Sequence, residues 1–389
     1  MGPLKIGIAG LGHVGCGLIE LVERQDKLRL PGKVEITGVS ARSKSRNRPV
    51  DTDKYRWFDD AATLAEDADV DVFVELIGGS DGPAKFAVES ALKAGKHVIT
   101  ANKALMAKHG MALAAEKGVD LLFEAAVAGG IPVVRVLRDS LAGVEIKRVS
   151  GILNGTCNFL TTTMLETGRS YDDVLEEAQK LGYAEADPTL DVSGMDAAHK
   201  AAILSAIAFS ADLDFSKVSV SGVDQMALSA NHPLARVNGS LNTVRIEGDP
   251  VGAITLTGPG AGAGPTASAV MGDVAKMFRP AIRPAFGRAE HHLQRPFVSG
   301  VGDETSAFFL RVRLADKPGA LAALTEALAA EGVSVNQLLQ DSADDSGASP
   351  VAIVTHRCPR SHMQSALARL EKLTMLIDAP RLIRIEMAS

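Results

Sequence analysis

The chain has few of the features that mark secreted, membrane-spanning or nucleic-acid-binding proteins. It contains only 3 cysteines among 389 residues, and Cys16, Cys157 and Cys358 have the spacing of neither a zinc motif nor a disulfide framework. It has no run of about twenty apolar residues that could span a bilayer. The net charge of −6 and the pI of about 5.9 give no basic surface for nucleic acid. Since the first predicted strand begins at residue 4, we expect no signal peptide and a cytoplasmic protein.

A glycine pattern stands near the start of the chain, between a predicted strand and a predicted helix. Residues 4–9 predict a buried strand and residues 13–25 an apolar helix. Between them the spacing G-x-G-x-x-G allows a tight turn and a close approach to a pyrophosphate, which the amide groups of the helix start can bind. A plain tight turn is the structural alternative. We expect a dinucleotide to contact Gly10, Leu11, Gly12, His13, Val14 and Gly15.

The end of the second predicted strand, residues 34–40, indicates which dinucleotide binds. An acidic residue there would bind the ribose 2′-hydroxyl of NAD. Here the chain continues Ser40-Ala-Arg42-Ser-Lys44, with two cations and no acid. Arg42 can pair with the 2′-phosphate of NADP or stack on the adenine. NADP is therefore favoured over NAD, and a solvent-facing basic loop is the structural alternative.

The order of predicted elements divides the chain into domains. Strands and helices alternate over residues 1–134, which predicts a Rossmann-type, doubly wound parallel sheet. Residues 135–280 predict an α+β substrate and dimerisation domain with an open sheet, whose glycine-rich helix near 262–280 can return to the first domain. Residues 281–304 have no period and predict a linker. Residues 305–389 follow the order βαββαβ, a ferredoxin-like unit.

An acidic block between Gly182 and Lys200 carries the clearest candidate chemistry. Asp196 and Lys200 lie four residues apart on a predicted helix, so they share one face, and a lysine beside a carboxylate can donate or accept a proton. Glu185 and Asp191 precede the helix, where a loop can direct them to a ligand amine. The structural alternative is a capping box, Ser193-x-x-Asp196, with an ordinary solvated ion pair.

Over essentially its whole length the chain resembles homoserine dehydrogenase with a C-terminal ACT domain. The resemblance implies NAD(P)-dependent interconversion of L-homoserine and L-aspartate 4-semialdehyde, in the biosynthesis of threonine, methionine and isoleucine. The stretches that carry it are Gly10–Gly15, Thr100-Ala-Asn-Lys103-Ala-Leu105, Glu124–Pro132, Asn154-Gly-Thr-Cys-Asn-Phe159, Gly182–Lys200 and Gly262–Ala269.

The resemblance also assigns roles to individual residues. It implies that Lys200 is the proton donor, with Asp196 beside it, and that Lys103, near the substrate and the nicotinamide, is a third catalytic residue that shares in proton transfer. The implied substrate-binding residues are Glu185, Asp191, Gly155, Thr156, Gly182 and Tyr183. The implied cofactor-binding residues beyond the glycine loop and Arg42 are Thr100, Lys103 and Gly262.

Two further sites are implied only by the resemblance. A monovalent cation, expected to be sodium, would bind one carboxylate and several main-chain carbonyl groups, and these carry over to Glu124, Val127, Gly129 and Ile131. Asp316 and Gly319, in the first strand–helix junction of the last unit, match the effector loop of ACT domains. L-threonine is the expected effector, and a homodimer or homotetramer the expected assembly.

Two other functions remain open at this point. Cys157, in Gly155-Thr-Cys-Asn158, suggests a phosphorylating aldehyde dehydrogenase in which a thiolate attacks the aldehyde. A Rossmann domain joined to an ACT unit also suggests a non-enzymatic sensor of nucleotides and amino acids. The cluster around Lys200 favours an enzyme, because a sensor needs no proton donor.

Overall fold

The computed structural model describes residues 2–386 except for 117, 182, 185–186, 213, 219, 221–225, 229–233, 235–236, 279–283, 288–304, 341 and 343–346. The chain forms two compact units. The first comprises Met1–Asp191, Met195–Val218 and Asn238–Pro296, and the second comprises Val192–Gly194, Ser219–Val237 and Phe297–Ser389.

The strands and helices alternate in the first third of the chain and are more irregular after it. The strands are β1 Leu4–Ala9, β2 Val34–Ser40, β3 Arg56–Phe58, β4 Val72–Glu75, β5 His97–Thr100, β6 Leu121–Leu122, β7 Glu145–Ile152, β8 Met226–Leu228, β9 Leu241–Asp249, β10 Gly252–Pro259, β11 Thr305–Ala315, β12 Val335–Gln340, β13 Ala348–Thr355, β14 Cys358–Pro359 and β15 Arg381–Glu386. The helices are α1 His13–Glu23, α2 Ala61–Glu66, α3 Pro83–Lys93, α4 Lys103–Ala114, α5 Val133–Arg135, α6 Gly155–Thr167, α7 Tyr171–Lys180, α8 Thr189–Val192, α9 Met195–Ala208, α10 Ala263–Lys276, α11 Ala320–Ala330 and α12 Arg360–Leu370.

The first sheet has the strand order β3-β2-β1-β4-β5-β6, and all its pairings are parallel. All four side chains of β4 are buried, as expected for a central strand covered by helices on both faces. This sheet confirms the predicted Rossmann-type fold. The strand β6 has only two residues, because a 3₁₀ turn begins at Glu124.

Helix α10 packs on the first sheet although it lies far along the chain from it. Its residues Val270 and Val274 share one buried cluster with Ile8 of β1 and Leu18 of α1. The two helices approach closely at Gly17, where a Cβ atom would lie 3.2 Å from the carbonyl oxygen of Ala263. The glycine-rich segment before α10 therefore lies beside the helix that follows the glycine loop.

The rest of the first unit contains an antiparallel sheet of order β10-β9-β7, with α6 following β7. Helix α9 packs its Ile203, Leu204 and Ile207 into the same buried cluster as Val244 of β9 and Met106 of α4. This packing fixes the start of α9, and with it Asp196 and Lys200, beside the start of α4.

The second unit contains the predicted ferredoxin-like arrangement. Its strands have the order β12-β13-β11-β15, all antiparallel, and Leu310, Leu324 and Ile353 lie in its buried core. Strand β8 extends this sheet by pairing in parallel with β15, which the sequence did not predict. In the described part of the chain, no helix is long and apolar enough to cross a membrane.

Candidate active site

The carboxyl ends of three neighbouring strands bring the predicted dinucleotide residues together. In the register of the first sheet, Ala9 pairs with Glu75 and Glu75 pairs with Thr100. The glycine loop after β1, the loop after β4 and the segment that starts α4 therefore leave the sheet at one edge. Ligands bind at this edge in folds of this kind.

The glycine loop has the shape that a pyrophosphate site requires. Gly10 has φ 101°, and a Cβ atom there would lie 2.3 Å from the carbonyl oxygen of Leu76. A Cβ atom at Gly15 would lie 2.1 Å from the carbonyl oxygen of Gly10, whereas one at Gly12 would meet nothing within 4 Å. The backbone of the turn is therefore closely packed at Gly10 and Gly15. It is open at Gly12, the residue that precedes α1. His13 and Val14 form the first turn of that helix, and Leu11 is buried.

Glu75 connects two of the loops at this edge and was not among the predicted site residues. Its buried carboxylate accepts the amides of Ile77 at 2.7 Å and Gly78 at 3.0 Å, and the hydroxyl of Thr100. A glutamate that ends a wholly apolar strand, Val-Phe-Val-Glu, is the signal that could have identified it.

Asn102 continues this connection toward Lys103. Its side chain donates to the Gly79 carbonyl at 2.7 Å and accepts the Leu105 amide at 3.0 Å, which caps helix α4. The helix that begins at Lys103 is thereby held to the loop after β4. Thr100, predicted to bind cofactor, is buried beneath this edge and donates its hydroxyl to Glu75.

Asp196 joins the two candidate catalytic lysines. Its Oδ2 accepts from Lys200 Nζ at 2.8 Å and its Oδ1 from the ammonium group of Lys103. Lys200 also donates to the carbonyl oxygen of Leu153 at 2.6 Å. The contact between Asp196 and Lys200 that the helical spacing predicted is thus present. Both side chains are buried, which is unlike an ordinary solvated helix pair.

The environment of this cluster shifts the proton affinities of its members. Burial lowers the pKa of Lys200 below its ordinary value of 10.5, against the opposing attraction of Asp196. Burial alone would raise the pKa of Asp196, but the ammonium groups of Lys200 and Lys103 outweigh it and lower that pKa to about 2. Asp196 therefore remains charged, while Lys200 loses its proton at a lower pH than a solvated lysine does.

Asn154 completes the cluster. Its Nδ2 donates to Asp196 Oδ2 and to Asp191 Oδ1, both at 2.8 Å. Its Oδ1 accepts the Cys157 amide at 2.8 Å and so caps helix α6. Asn154 belongs to the motif Asn154–Phe159 but was not predicted to have a role of its own, although an asparagine between a strand and a helix is a common cap.

The predicted substrate residues lie around the same cluster where the structure describes them. Asp191 is held through Asn154, and Thr156 donates its hydroxyl to the Tyr183 carbonyl at 2.7 Å. Tyr183 is 45% exposed, and the centre of its ring lies 5.0 Å from the centre of the Phe159 ring. Gly155 is required by packing, because a Cβ atom there would lie 2.5 Å from the carbonyl oxygen of Ser240. Gly182 and Glu185 lie outside the described residues.

Cys157 does not have the environment of a nucleophile. Burial, and after it the carboxylates of Asp191 and Asp196, raise the pKa of its thiol to about 12. Its Sγ lies 3.3 Å from the Asp191 carbonyl oxygen, to which it donates. Since the thiolate is the reactive form, this thiol is inert at neutral pH.

The loop after β6 contains the four residues predicted to bind a cation, and all four are buried. The Glu124 carboxylate accepts the amides of Val134 at 3.0 Å and Arg135 at 2.9 Å. Oε2 also lies 3.7 Å from Arg135 Nε, so Oε1 is the more available of the two oxygens. With the main-chain oxygens of the loop, the carboxylate is a hard donor set of the kind that suits a monovalent cation. Gly129 has φ 41°, and a Cβ atom there would lie 2.6 Å from the carbonyl oxygen of Gly260. The segment before α10, which includes Gly262 at φ 110°, therefore lies close to this loop.

The other predicted residues lie in exposed positions. Arg42 is exposed in the loop after β2, and no acidic residue follows that strand before Asp51. In the second unit Asp316 and Gly319 are exposed at the turn before α11. Gly319 caps this helix with φ 89°, a conformation that favours glycine.

Comparison with family models decides the identity of this arrangement. The model described as homoserine dehydrogenase matches residues 132–228 and 222–275, and the model of its NAD binding domain matches residues 10–124. The chain belongs to the homoserine dehydrogenase family. A model described as the ACT domain matches residues 308–374, so the predicted C-terminal ACT domain is confirmed.

Homoserine dehydrogenases from several organisms match along the whole chain. Those of Pseudomonas aeruginosa and Bacillus subtilis are 38% and 33% identical, each with 99% of both chains covered. The crystal structure of a homoserine dehydrogenase from Thiobacillus denitrificans has a TM-score of 0.90 at 32% identity and covers 100% of this chain and 99% of that one. A hyperthermophilic archaeal homoserine dehydrogenase in complex with NADPH has a TM-score of 0.62 at 29% identity and covers 72% of this chain and 100% of that one.

Family membership confirms the predicted activity. The chain is an NAD(P)-dependent oxidoreductase that acts on a CH–OH group and interconverts L-homoserine and L-aspartate 4-semialdehyde. Neither alternative function is supported: the raised pKa of the Cys157 thiol disfavours a thiolate nucleophile, and a non-enzymatic sensor does not account for the matches to the catalytic domain.

Proposed function

We propose that Lys200 is the acid–base group of homoserine dehydrogenation in this chain. The observation that carries the proposal is the buried Lys200–Asp196 pair, with Nζ 2.8 Å from Oδ2. Two of the three ammonium hydrogens are used by Asp196 and the Leu153 carbonyl. The third remains for a substrate oxygen.

In the direction of reduction, bound nicotinamide supplies a hydride to the aldehyde carbon. The electron pair of the carbonyl bond then moves to oxygen, which takes a proton from Lys200 and becomes the alcohol. In the reverse direction neutral Lys200 removes the hydroxyl proton of homoserine. Proton transfer by a held side chain typically contributes about 10²–10⁴-fold to the rate.

Asp196 and Lys103 support this proton transfer from either side. The Asp196 carboxylate keeps Lys200 in place and stabilises its charged form. The ammonium group of Lys103 binds the other oxygen of Asp196, and its side chain is 42% exposed. Lys103 therefore faces solvent on one side and the carboxylate on the other, a position from which it can restore the proton and contact substrate.

We infer that the amino-acid end of the substrate binds on the acidic side of the cluster. Asp191 and Glu185 would accept hydrogen bonds from the substrate ammonium group, with Gly155, Thr156, Gly182 and Tyr183 forming the surrounding wall. The contact of Asp191 with Asn154 supports this assignment, because it places the carboxylate beside the cluster and engages only its Oδ1. Binding the amino-acid end, which does not react, orients the carbon at which hydride transfer occurs.

We propose NADP as the preferred coenzyme, with Arg42 pairing with its 2′-phosphate. The absence of an acid after β2 supports this choice, as does the NADPH bound to the archaeal homologue. The glycine loop Gly10–Gly15 would hold the pyrophosphate, and Thr100, Lys103 and Gly262 would border the nicotinamide.

We further propose that Glu124 and the carbonyl groups of Val127, Gly129 and Ile131 hold a sodium ion. The burial of Glu124 supports this role. A cation that binds there should raise the midpoint of thermal unfolding in NaCl relative to an organic-cation chloride of equal ionic strength. An equal midpoint in both salts, or a gain that persists in Glu124→Gln, would contradict the site.

For the ACT domain we propose feedback inhibition by L-threonine, bound at Asp316 and Gly319. The turn before α11 offers helix-start amides for a carboxylate and an acid for an ammonium group. The expected assembly is a homodimer or homotetramer, which size-exclusion chromatography with light scattering would measure; a monomer at micromolar concentration would contradict it.

One assay tests the reaction and the coenzyme preference together. Reduction of NADP⁺ and NAD⁺ is followed by absorbance with L-homoserine as substrate and no phosphate present. We expect turnover with both coenzymes and a lower KM for NADP⁺. Turnover that requires phosphate, or coenzyme binding without turnover, would contradict the proposed reaction.

A further inference from the structure

Arg48 makes an unusual set of contacts beside the glycine loop. Its guanidinium group donates to the carbonyl oxygen of Ser43 at 2.6 Å, Arg46 at 3.0 Å and Lys44 at 3.3 Å. Its Nε donates to the carbonyl oxygen of Leu11 at 3.3 Å. Four of its five N–H groups are therefore used by main-chain oxygens of two separate loops.

The loop that Arg48 contacts has several cationic residues close together, which disfavours an ordered conformation. Residues 42, 44, 46 and 48 are all Arg or Lys, and their like charges repel one another. The described contacts that hold residues 43–46 include the three carbonyl bonds from Arg48 and a contact between the hydroxyls of Ser43 and Ser45 at 3.2 Å. A planar guanidinium can satisfy several carbonyl groups at once, whereas a lysine ammonium cannot reproduce that fork.

Arg48 is itself fixed from its other side. Its guanidinium carbon lies 5.6 Å from the centre of the Trp57 ring, within the range of a cation–π contact. Trp57 lies in β3, which pairs with β2, the strand that leads into the loop. The indole nitrogen donates to Asp59 at 2.9 Å, which fixes the ring. Glycine loop, basic loop and sheet edge therefore meet at one side chain.

We propose that Arg48 is a positioning residue for coenzyme selection: it holds the basic loop, residues 42–46, against the glycine loop and so sets where Arg42 meets the 2′-phosphate. The inference rests on the proposed NADP preference. Arg48 does not need to touch the phosphate, since its donors are directed at carbonyl oxygens. It affects coenzyme affinity by fixing the conformation of the basic loop.

The test compares Arg48→Leu and Arg48→Lys with the wild type. Arg29→Leu is the matched control, because Arg29 is an exposed arginine before β2, at the opposite end of that strand from the basic loop. The readouts are amide hydrogen exchange of residues 42–48 without coenzyme, the emission of the single tryptophan, and the Kd of NADPH and NADH.

In both Arg48 variants we expect faster exchange at 43–46 and shifted Trp57 emission. NADPH affinity should fall by about tenfold more than NADH affinity, as expected for one charge-assisted contact. Arg29→Leu should match the wild type in all three readouts. The lysine variant is decisive: a charge-only role would restore NADPH affinity in Arg48→Lys and overturn the proposal.

The outcomes also separate this inference from the coenzyme proposal on which it rests. If the wild type binds NADPH and NADH equally and Arg42→Ala changes nothing, the NADP preference is wrong. Exchange at 43–46 still judges Arg48 in that case, and unchanged exchange in both variants would overturn its positioning role. An equal loss of affinity for the two coenzymes, together with a lowered unfolding midpoint, would mean that Arg48 only stabilises the fold. That result would also overturn its positioning role.

Discussion

Asn154, directly before α6, donates a hydrogen bond to Asp196 in α9, with Nδ2 and Oδ2 2.8 Å apart. The same side chain caps α6, so the position of the Asp196 carboxylate and the start of that helix depend on one residue. Because the amide group also binds Asp191, it lies between two carboxylates that would otherwise repel each other. Asn154 thus connects the proposed proton-transfer group to the proposed substrate-ammonium site.

This double role predicts a separable effect for Asn154→Ser. Serine still caps a helix, so the midpoint of thermal unfolding should stay near that of the wild type. It lacks the amide N–H groups, and hydrogen bonds to charged groups are worth about 1.5–3 kcal/mol, so kcat/KM for homoserine should fall by about ten- to a hundredfold. Steady-state kinetics and thermal unfolding measure both effects.

Asn158→Ser provides the control for Asn154. Asn158 is also in α6, and its side-chain amide donates to the Leu241 carbonyl at 3.2 Å. Its replacement should leave KM for homoserine unchanged. A full kcat/KM in Asn154→Ser would show that the two carboxylates need no shared donor.

Lys200→Ala should lower kcat by about 10²–10⁴-fold, because the proton donor is lost. Coenzyme affinity should change little, since Lys103 still binds the Asp196 carboxylate and the glycine loop is untouched. Lys180→Ala, which removes an exposed lysine paired with Glu176 on α7, is the control and should retain full activity. If Lys200→Ala keeps more than about a tenth of wild-type turnover, Lys200 is not the acid.

The lowered pKa of Lys200 predicts opposite pH dependences for the two reaction directions. Homoserine oxidation needs the neutral amine, so kcat/KM should rise with pH and level off at an inflection below 10.5. Aldehyde reduction needs the ammonium group and should fall over the same range. In Asp196→Asn the stabilising negative charge is gone, so the inflection should move to lower pH. An inflection that stays in place in Asp196→Asn would assign it to another group.

The sequence predicted those parts of the molecule that depend on local pattern. Helical spacing was sufficient for Asp196 and Lys200, and strand–turn–helix context for the glycine loop. The sequence could not show that Lys103 contacts Asp196, because the two residues are 93 positions apart and meet only when α4 packs against α9. The pairing of β8 with β15 was missed for the same reason. The position of Glu75 at the end of an apolar strand could have marked it as unusual, but its role depends on three hydrogen-bond donors that only the fold brings to it.

Arg42→Ala should weaken NADP(H) binding more than NAD(H) binding, because only NADP(H) has a 2′-phosphate to lose. A charge-assisted contact of about 1.5–3 kcal/mol corresponds to a selective loss of about ten- to a hundredfold. Fluorescence titration with NADPH and NADH measures both affinities, and Arg29→Leu again controls for the loss of one cation. An equal loss for the two coenzymes would mean that Arg42 stacks on the adenine or supports the loop.

The ACT domain predicts that L-threonine inhibits homoserine oxidation by the full chain. Asp316→Ala should abolish this inhibition and leave uninhibited turnover unchanged, because it removes only the proposed partner of the threonine ammonium group. Glu326→Gln, which neutralises an exposed acid on α11, should stay inhibited. Rates are measured across a threonine titration, with L-serine as a chemically related control ligand.

A chain truncated near residue 303 also tests whether the ACT domain is regulatory. Truncation removes β15, the partner of β8, so Met226–Leu228 loses its pairing in the sheet, and the truncated chain has to be checked for solubility and unfolding before its rates are compared. Asp316→Ala avoids this problem and is therefore the more informative variant. If millimolar threonine leaves the full chain uninhibited and truncation changes only the oligomeric state, the ACT domain serves assembly, because a regulatory site must alter turnover when its ligand binds.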